Sequence, residues 1–306
     1  MISKPPKKPL KKKKDYKLLF LSLPFMIFVF LFSYVPLMGW GLAFFDYKAG
    51  IPLFKNEFLG LANFRYFFND ADEILRILKN TFIFAGLGLI IAPLPMIFAV
   101  FLNEIKEAKT KKVIQTLTTF PHFISWIIIY SLALALFSRE GVLNLILMKL
   151  HLRSDYINLL GNGETIYYFL TAIDIWKETG WSAIIYLAAI AGISQEMYEA
   201  AYIDGANRFH QAIYITIPNL MNTFVVLFVL HIGHLINLGF EKFFVFKNPA
   251  TMQNIEVMDL YVYRLGIVNH DYSYSIAIGI MKSFVSILLV FLANHMAKKI
   301  RGTGII

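Results

Sequence analysis

The stretch LLFLSLPFMIFVFLFSYVPLMGWGLAFF, residues 18–45, decides the fold class, because it contains no charged side chain along its whole length. A helix needs about 20 consecutive apolar residues to cross the hydrocarbon core of a bilayer. The apolar part of a secretory signal peptide spans only about 7 to 15 residues and ends at a small-residue cleavage site. The sequence Tyr34-Val35-Pro36 offers no such site. We therefore predict an uncleaved first membrane-spanning helix.

Other apolar runs extend this prediction to an all-α membrane protein with six transmembrane helices. Of the 306 residues, 58% are hydrophobic and only 16% are charged, whereas about a quarter of the residues in a soluble domain are charged. The transmembrane domain is predicted at residues 18–297, with spans at about 18–40, 80–102, 113–137, 166–191, 219–240 and 272–296. The stretches between the spans are too short for an independent soluble domain.

The distribution of positive charge predicts the orientation. The segments 1–17, 103–112, 192–217 and 297–306 together carry 16 Lys and Arg residues against six acids, while the loops on the other side carry 11 against 12. Because cytoplasmic segments carry the excess of Lys and Arg, the basic tail 1–17 and the tail 298–306 are predicted to be cytoplasmic. The net charge of +9 comes largely from lysines that precede an apolar run, which favours an orientation signal over a nucleic-acid partner.

The segment SQEMYEAAYIDGANRFHQAIYITIP, residues 194–218, predicts a cytoplasmic helix-turn-helix within the loop 192–217. Ser194 is a suitable N-cap for a helix over 195–203, and Gly205 can adopt the left-handed conformation that ends it. A second short helix is expected over 207–216, and Pro218 suits the start of the fifth span. From spacing alone, a simple connector between two spans is equally compatible with this pattern.

The same segment resembles the EAA signature of permease subunits of binding-protein-dependent ABC importers. The matching residues are Glu199, Ala200, Ala201, Asp204, Gly205, Ala206, Ile215 and Pro218, while Ile217 stands where the family usually has leucine. Other segments resemble the subfamily that takes up oligosaccharides and polysaccharides: LKNTFIFAG (78–86), FPHFISW (120–126), DIWKETGWSAIIYLAAIAGI (174–193), LGFEKFFVFKNP (238–249) and DLYVYRLGI (259–267).

This resemblance implies a type I ABC importer permease-like fold in a bacterial cell membrane. It implies that the first short helix is a coupling helix that docks on a cytoplasmic ATPase, and that Glu199, Ala200, Ala201, Asp204, Gly205, Ala206 and Pro218 form the coupling site. The implied partners are a second homologous permease subunit, two ATPase subunits, an extracytoplasmic solute-binding (lipo)protein, a sugar and membrane lipid. ATP and Mg would bind to the ATPase, since this chain has no G-x-x-x-x-G-K-[ST] loop.

Polar residues inside the predicted spans are candidates for a substrate path, because intramembrane charges are costly and usually face protein or water. These candidates are Asp174, Lys177, Glu178, His231, His234, Asn237 and Lys282. The spacing of Asp174 and Lys177 allows an ion pair on one helix face, and His231, His234 and Asn237 are expected to share a face. Hydrogen bonding between helices is the alternative role for this second group.

Two other classes of function are alternatives for a membrane protein with several spans. A proton-coupled secondary transporter would use His231, His234, Asp174 and Glu178 as relay groups. A membrane enzyme, such as a glycan-modifying transferase, has no support from any nucleophile arrangement or metal-ligand spacing, and no catalytic or metal site is predicted.

Overall fold

The computed structural model describes residues 16–69, 71–153 and 155–301. Apart from its last two residues, the basic tail 1–17 lies outside this part of the chain, as do the last five residues. In the described part there is no β-strand, and the pairing of Phe45 with Phe58 is an isolated bridge. The α-helices, in chain order, are α1 Tyr16–Val29, α2 Ala62–Asn69, α3 Ala71–Ile91, α4 Leu94–Asn103, α5 Ala108–Thr119, α6 Trp126–Phe137, α7 Val142–Lys149, α8 Thr165–Ala191, α9 Gln195–Ile203, α10 Arg208–Gln211, α11 Ile217–Gly233, α12 Glu241–Phe246, α13 Met252–Ile255, α14 Met258–Tyr263 and α15 Tyr272–Arg301.

Five helical segments within the described residues are long and apolar enough to cross a membrane. They are Leu19–Phe44, Ala71–Asn103, Trp126–Lys149, Arg208–Gly233 and Tyr272–Lys299. Helix α8, the predicted fourth span, has 27 residues and is therefore long enough, but three of its residues are charged. The helical membrane architecture is confirmed, while the count of six spans rests on placing α8 in the membrane.

Proline residues divide two of the predicted spans. Between α3 and α4 the chain turns at Ala92 and Pro93. The predicted span 113–137 is also two helices, because a short 3₁₀ turn over Phe120–Phe123 separates α5 from α6. Proline has no N–H to donate, and its ring clashes with the carbonyl group four residues earlier, so both interruptions follow from the backbone chemistry.

The fifth predicted span, 219–240, ends earlier than expected, at Gly233. The region that follows was predicted to be an outer loop, but it forms α12, α13 and α14. Phe243 and Phe246 of α12 are almost fully buried, and they pack in one apolar cluster with Phe84 of α3 and Leu170 of α8. The aromatic side chains of this segment therefore pack inward, an arrangement that hydropathy alone does not distinguish from an interfacial loop.

Helix α8 contacts α5 so closely that only glycine fits at position 180. A Cβ atom at Gly180 would overlap the carbonyl group of Thr118. The Thr119 hydroxyl group donates to the Gly180 carbonyl oxygen at 3.4 Å. Small residues at such contacts let helix backbones approach in a membrane, where packing replaces the hydrophobic effect between helices. This contact holds α8 in the position from which its polar side chains reach the centre of the molecule.

An ionic cluster joins α3 to the segment that contains α14. The buried Glu256 carboxylate accepts hydrogen bonds from Arg76 at 2.9 Å and from Arg264 at 2.6 Å. The Glu73 carboxylate also accepts from Arg264, at 2.5 Å. Burial lowers the pKa of Arg264, but its hydrogen bonds and attraction to Glu256 and Glu73 outweigh this effect and raise the pKa. Arg264 therefore stays protonated and paired with both carboxylates over the physiological pH range.

Candidate translocation cavity and coupling loop

A cavity of about 1020 Å³ lies between the predicted membrane helices. Its walls come from α3, α6, α8, α11 and the segment 237–245, which contains α12. The lining is mostly apolar and includes the aromatic rings of Trp126, Tyr186, Phe224 and Phe240. Pockets for small organic ligands commonly have this character, with a few polar groups that orient the ligand.

Asp174 lines the cavity and forms an ion pair with Lys242, whose ammonium group lies 2.6 Å from the Asp174 carboxylate. The expectation that Asp174 pairs with Lys177 is therefore wrong. The Lys242 ammonium group also lies 4.6 Å from the centroid of the Phe243 ring and 5.9 Å from that of Trp126. Aromatic faces attract cations at such distances, so Lys242 is held in the wall of the cavity.

Lys177 is buried and is not among the residues that line the cavity. Its ammonium group donates to the carbonyl oxygens of Pro121, His122 and Ile124 at 3.2, 2.6 and 2.7 Å. The 3₁₀ turn at 120–123 interrupts the regular helix, so carbonyl groups at and just after the turn are open to a side-chain donor, and Lys177 binds three of them. Its role is to join α8 to this turn, which corrects its assignment as a substrate-path candidate.

Glu178 lines the cavity and pairs with His122, whose Nδ1 lies 2.8 Å from the carboxylate. The His122 ring is stacked on Trp181, with ring centroids 4.5 Å apart and planes 1° apart. Because Glu178 remains 43% exposed, it can face a ligand in the cavity while His122 holds its orientation.

His231, His234 and Asn237 all line the cavity, but they do not share a helix face. Helix α11 ends at Gly233 and His234 is its C-cap, so the chain has left the helix before Asn237. The His231 ring lies beside Gly88, where a Cβ atom would be 3.2 Å from Nε2. Asn237 donates to the Ser286 hydroxyl group at 2.9 Å. Turn geometry, rather than helical periodicity, brings the three side chains to one cavity.

Lys282 does not line the cavity. It forms an ion pair with Asp259, which also accepts a hydrogen bond from the Gly239 N–H group at 3.0 Å. Gly239 has a φ of +79°, a conformation that glycine adopts without steric strain. The pair therefore links α15 and α14 to the turn before α12, and Lys282 supports the cavity wall without facing a ligand.

Sequence reasoning missed the side chains that the segment 237–245 brings to the cavity. Glu241 and Lys242 are both part of the lining, yet they were assigned to an outer loop because they follow the fifth apolar run. A signal was present, since Glu241-Lys242 interrupts the run LGFEKFFVF, which is otherwise entirely apolar. A charged pair inside such a run indicates a buried or cavity-facing segment.

The predicted helix over 195–203 is present as α9. Its end forms a Schellman motif, with hydrogen bonds from the Gly205 N–H to the Tyr202 carbonyl and from the Ala206 N–H to the Ala201 carbonyl. Gly205 has a φ of +80°, as the sequence predicts. Ser194 occupies the N-cap position without forming a side-chain hydrogen bond, so its predicted capping role is wrong.

The surface of α9 and the following turn is exposed. Glu199, Ala200, Asp204 and Gly205 are exposed, and Ala201 and Ala206 are half-buried. Large apolar side chains are also exposed here, namely Met197, Tyr202, Ile203 and Phe209. An acidic carboxylate among exposed apolar side chains is typical of a surface that binds another protein.

The second helix of the loop continues directly into the fifth span. Asn207 caps α10 by accepting a hydrogen bond from the His210 N–H at 2.9 Å, and a π-helical turn over 212–216 joins α10 to α11. This π turn precedes Pro218, and such turns absorb a break in the regular hydrogen-bond ladder. The predicted separate helix over 207–216 is thus the first part of the segment 208–233.

Two side-chain contacts anchor the loop. The Tyr198 hydroxyl group lies 2.9 Å from the Thr216 hydroxyl group, which attaches α9 to the base of the fifth span. Arg208 donates to the Glu104 carbonyl oxygen at 3.1 Å. The loop therefore lies beside the end of α4, in agreement with the prediction that both lie on the same side of the membrane.

Comparison with known sequences and structures identifies related proteins. Residues 91–302 match the family described as "Binding-protein-dependent transport system inner membrane component". The chain is 40% identical to Protein LplB of Bacillus subtilis (strain 168) over 295 residues, 96% of this chain and 92% of LplB. It is also 40% identical to the polygalacturonan/rhamnogalacturonan transport system permease protein YteP of the same organism over 285 residues, 92% of this chain and 88% of YteP.

A solved structure shows that the similarity extends to the fold. A chain of a bacterial ABC transporter involved in the import of the acidic polysaccharide alginate superposes with a TM-score of 0.84 at 33% sequence identity. The match covers 94% of this chain and 97% of that chain. The same TM-score is found for the alginate transporter in complex with its alginate pentasaccharide-bound periplasmic protein.

Proposed function

Because this chain belongs to the family of binding-protein-dependent transport system inner membrane components, we propose that it is one of two permease subunits of an ABC importer for oligosaccharides. It spans the bacterial cell membrane six times, with α8 as the fourth span and both termini in the cytoplasm. An extracytoplasmic binding protein, in the form of a lipoprotein, delivers the sugar to the outer face. Two cytoplasmic ATPase subunits bind ATP and Mg and drive the transport cycle.

The observation that carries this proposal is the continuous segment 208–233. It begins beside α9 in the coupling loop and ends with His231 at the cavity. Helical segments are stiff enough to transmit a displacement of the loop to the cavity wall, as rigid-body steps in alternating access require. The contact between Tyr198 and Thr216 fastens the proposed coupling helix to this segment.

The exposed surface of α9 is the proposed docking site for one ATPase subunit. Glu199 offers a negative charge, Ala200 and Ala201 permit close approach, and Gly205 makes the turn. Asp204, Ala206 and Pro218 complete the proposed coupling site. Exposed apolar residues, including Tyr202 and Phe209, supply the contact area that a stable interface requires.

The substrate class is inferred from the relatives and from the cavity. YteP is named for the transport of polygalacturonan and rhamnogalacturonan, and the solved transporter imports alginate. The cavity of about 1020 Å³ has the volume of a site for several sugar units. Asp174, Glu178, His231, His234 and Asn237 are the proposed contacts of this chain with the sugar.

The proton-coupled alternative has no support from the comparisons, all of which point to binding-protein-dependent permeases. The ion pair of Asp174 with Lys242 also favours a fixed orientation of Asp174 over a role in proton relay.

The proposal is tested by reconstituting the chain with its second permease, its ATPase and its binding protein in proteoliposomes. Oligosaccharide uptake should require ATP and the binding protein, and the chain purified alone should bind no ATP. Glu199→Lys should abolish uptake and reduce the amount of ATPase that co-purifies. The matched reversal Glu140→Lys, at an exposed position far along the chain from the loop, should leave both unchanged. ATP binding by the isolated chain, or normal uptake by Glu199→Lys, would contradict the proposal.

A further inference from the structure

The charges that line the cavity bear on the kind of sugar that passes. Asp174, Glu178 and Glu241 contribute three carboxylates to the lining, and Lys242 contributes its one ammonium group. Counted at their formal charges, these Asp, Glu and Lys side chains give this half of the proposed path a net negative charge. The charge of a cavity wall selects among ligands most strongly where the surrounding dielectric constant is low.

The positive charge of Lys242 is not available to a ligand. Its ammonium group is bound to Asp174 at 2.6 Å, and its side chain is only 11% exposed. It also contacts the aromatic ring of Phe243. A ligand carboxylate at Lys242 would compete with Asp174, which is already in place and close by. The ammonium group of Lys242 therefore neutralises Asp174 and does not attract an anionic ligand.

The neighbouring intramembrane cations are also engaged. Lys177 donates to three backbone carbonyl oxygens beneath the cavity wall, and Lys282 is paired with Asp259. Neither belongs to the lining. Within the residues that the structure describes, this wall thus has no unpaired Lys or Arg with which to receive an anionic sugar.

Glu241, in contrast to these lysines, is available to a ligand. Its side chain is exposed at the cavity, and it makes no ion pair with any residue in the described part of the chain. Glu178, which remains 43% exposed, lies in the same lining. Ionised carboxylates accept hydrogen bonds and cannot donate them, so both groups suit sugar hydroxyl donors and repel sugar carboxylates.

We propose, on the basis of the proposed function, that this permease passes uncharged oligosaccharides and that Glu241 discriminates against uronate-containing ones. Aromatic rings such as Trp126 and Phe224 offer apolar faces to the C–H faces of neutral sugar rings. The cargo thus differs in charge from the alginate of the solved transporter. Specificity of this kind arises from a repulsive group as much as from attractive contacts.

The test measures sugar binding to the purified complex of both permeases and the ATPase. The binding protein is left out, so that its own sugar specificity does not affect the measured preference. Tetrasaccharides of glucose, galactose and mannose are compared with their uronate counterparts, which differ in having a carboxylate at C6. The wild-type complex should bind at least one neutral tetrasaccharide roughly ten-fold more tightly than its uronate, a ratio that corresponds to ~1.4 kcal/mol. Glu241→Lys should remove or reverse that preference, and Glu140→Lys should leave it intact.

Tighter or equal binding of the uronates by the wild-type complex would overturn the inference, as would an unchanged preference in Glu241→Lys. A Glu241→Gln variant provides a second measurement if the lysine variant does not assemble, because it removes the charge and keeps the size. It should weaken the preference without reversing it. ATP-dependent uptake of uronates would refute the inference alone, whereas failure to bind or take up any oligosaccharide would refute the proposed function as well.

Discussion

At the scale of single residues, positive φ and paired charges are the features with the clearest consequences. Gly205 ends α9 with a φ of +80°, and no atom lies within 4 Å of the place where its Cβ would be. A side chain there has room, so the expected effect of substitution comes from backbone strain alone. Asp174 and Lys242, in contrast, depend on each other across 68 positions of sequence.

Gly205→Val is predicted to abolish sugar uptake while membrane insertion stays near normal. Residues with a Cβ atom are strained in the left-handed region by roughly 1–2 kcal/mol, and the strain should displace α9 from the ATPase. The matched control is Gly50→Val, because Gly50 has a φ of +89° and equally open surroundings but lies outside the coupling loop. The measurements are uptake in cells and ATPase co-purification. An equal loss of uptake and of co-purified ATPase in both variants would indicate that strain at any such glycine disturbs the protein, and would contradict a specific coupling defect.

Removing one partner of the Asp174–Lys242 pair is predicted to destabilise the protein. Lys242→Met leaves a carboxylate unpaired in the cavity wall, and the loss should be roughly 2–3 kcal/mol, somewhat less than for a fully buried pair because Asp174 remains 25% exposed. The double variant Asp174→Asn/Lys242→Met should recover much of that loss. Thermal unfolding in detergent is measured for the wild type, Asp174→Asn, Lys242→Met and the double variant, and strictly additive effects of the two single substitutions would argue against the pair.

An exposed ion pair provides the control for this experiment. Lys48 and Asp46 are 3.3 Å apart, and their side chains are 68% and 48% exposed. Pairs of this kind contribute about 0–1 kcal/mol. Lys48→Met should therefore leave the unfolding temperature almost unchanged.

At the scale of helices, close backbone contacts determine which elements stay together. Gly180 lets α8 approach the carbonyl group of Thr118 at the end of α5, and Gly233 lets α11 approach Val290 of α15. Gly180 cannot accept a Cβ atom unless the helices separate, because the atoms in the way belong to the backbone, whereas at Gly233 the Val290 side chain would have to shift. Since α8 carries Asp174 and Glu178, the contact at Gly180 also sets the depth of two carboxylates in the cavity.

Gly180→Ala is predicted to destabilise the fold by roughly 1–3 kcal/mol through overpacking. The matched control is Gly86→Ala in α3, where no atom lies within 4 Å of the added Cβ. Alanine is the better helix former, by about 1 kcal/mol, so the control should be neutral or stabilising. Unfolding temperature and yield of the detergent-purified proteins distinguish the two outcomes. A stable Gly180→Ala protein would show that α5 and α8 can move apart freely.

At the scale of the whole molecule, orientation is the main property open to test, and the chain is well suited to it because it contains no cysteine. Phe54, in the first predicted outer loop, is 90% exposed, and Tyr202, in the proposed coupling loop 192–217, is 77% exposed. Single Cys substitutions at these positions therefore offer accessible thiols on opposite faces of the predicted topology.

Phe54→Cys should react with a membrane-impermeant thiol reagent in intact cells that have been stripped of their wall. Tyr202→Cys should react only after the membrane is permeabilised. This outcome follows from the excess of Lys and Arg on the side of the coupling loop. The reverse labelling pattern would show that the charge bias does not determine the orientation of this chain.

The features that depend on local chemistry could be predicted from the amino-acid sequence. Uncharged runs of sufficient length predicted a helical membrane protein, because a helix satisfies its backbone hydrogen bonds within one segment and so needs no water or neighbouring strand in the lipid. The helix over 195–203 and the positive φ of Gly205 were also predictable, because the hydrogen bonds of a Schellman motif join residues no more than five positions apart. Pro93 and Pro121 also indicated helix breaks, but each lies inside a long apolar run, and hydropathy treats such a run as one helix.

Which polar side chains meet depends instead on how the helices pack. Asp174 has Lys177 within reach on its own helix, yet it pairs with Lys242, while Lys177 binds the carbonyl groups of the 120–123 turn. These choices depend on how closely α5, α8 and α12 pack, and helical periodicity contains no information about distances between helices. The cavity and the side chain of Glu241 that faces it arise in the same way, from the inward folding of a segment that hydropathy assigns to a loop.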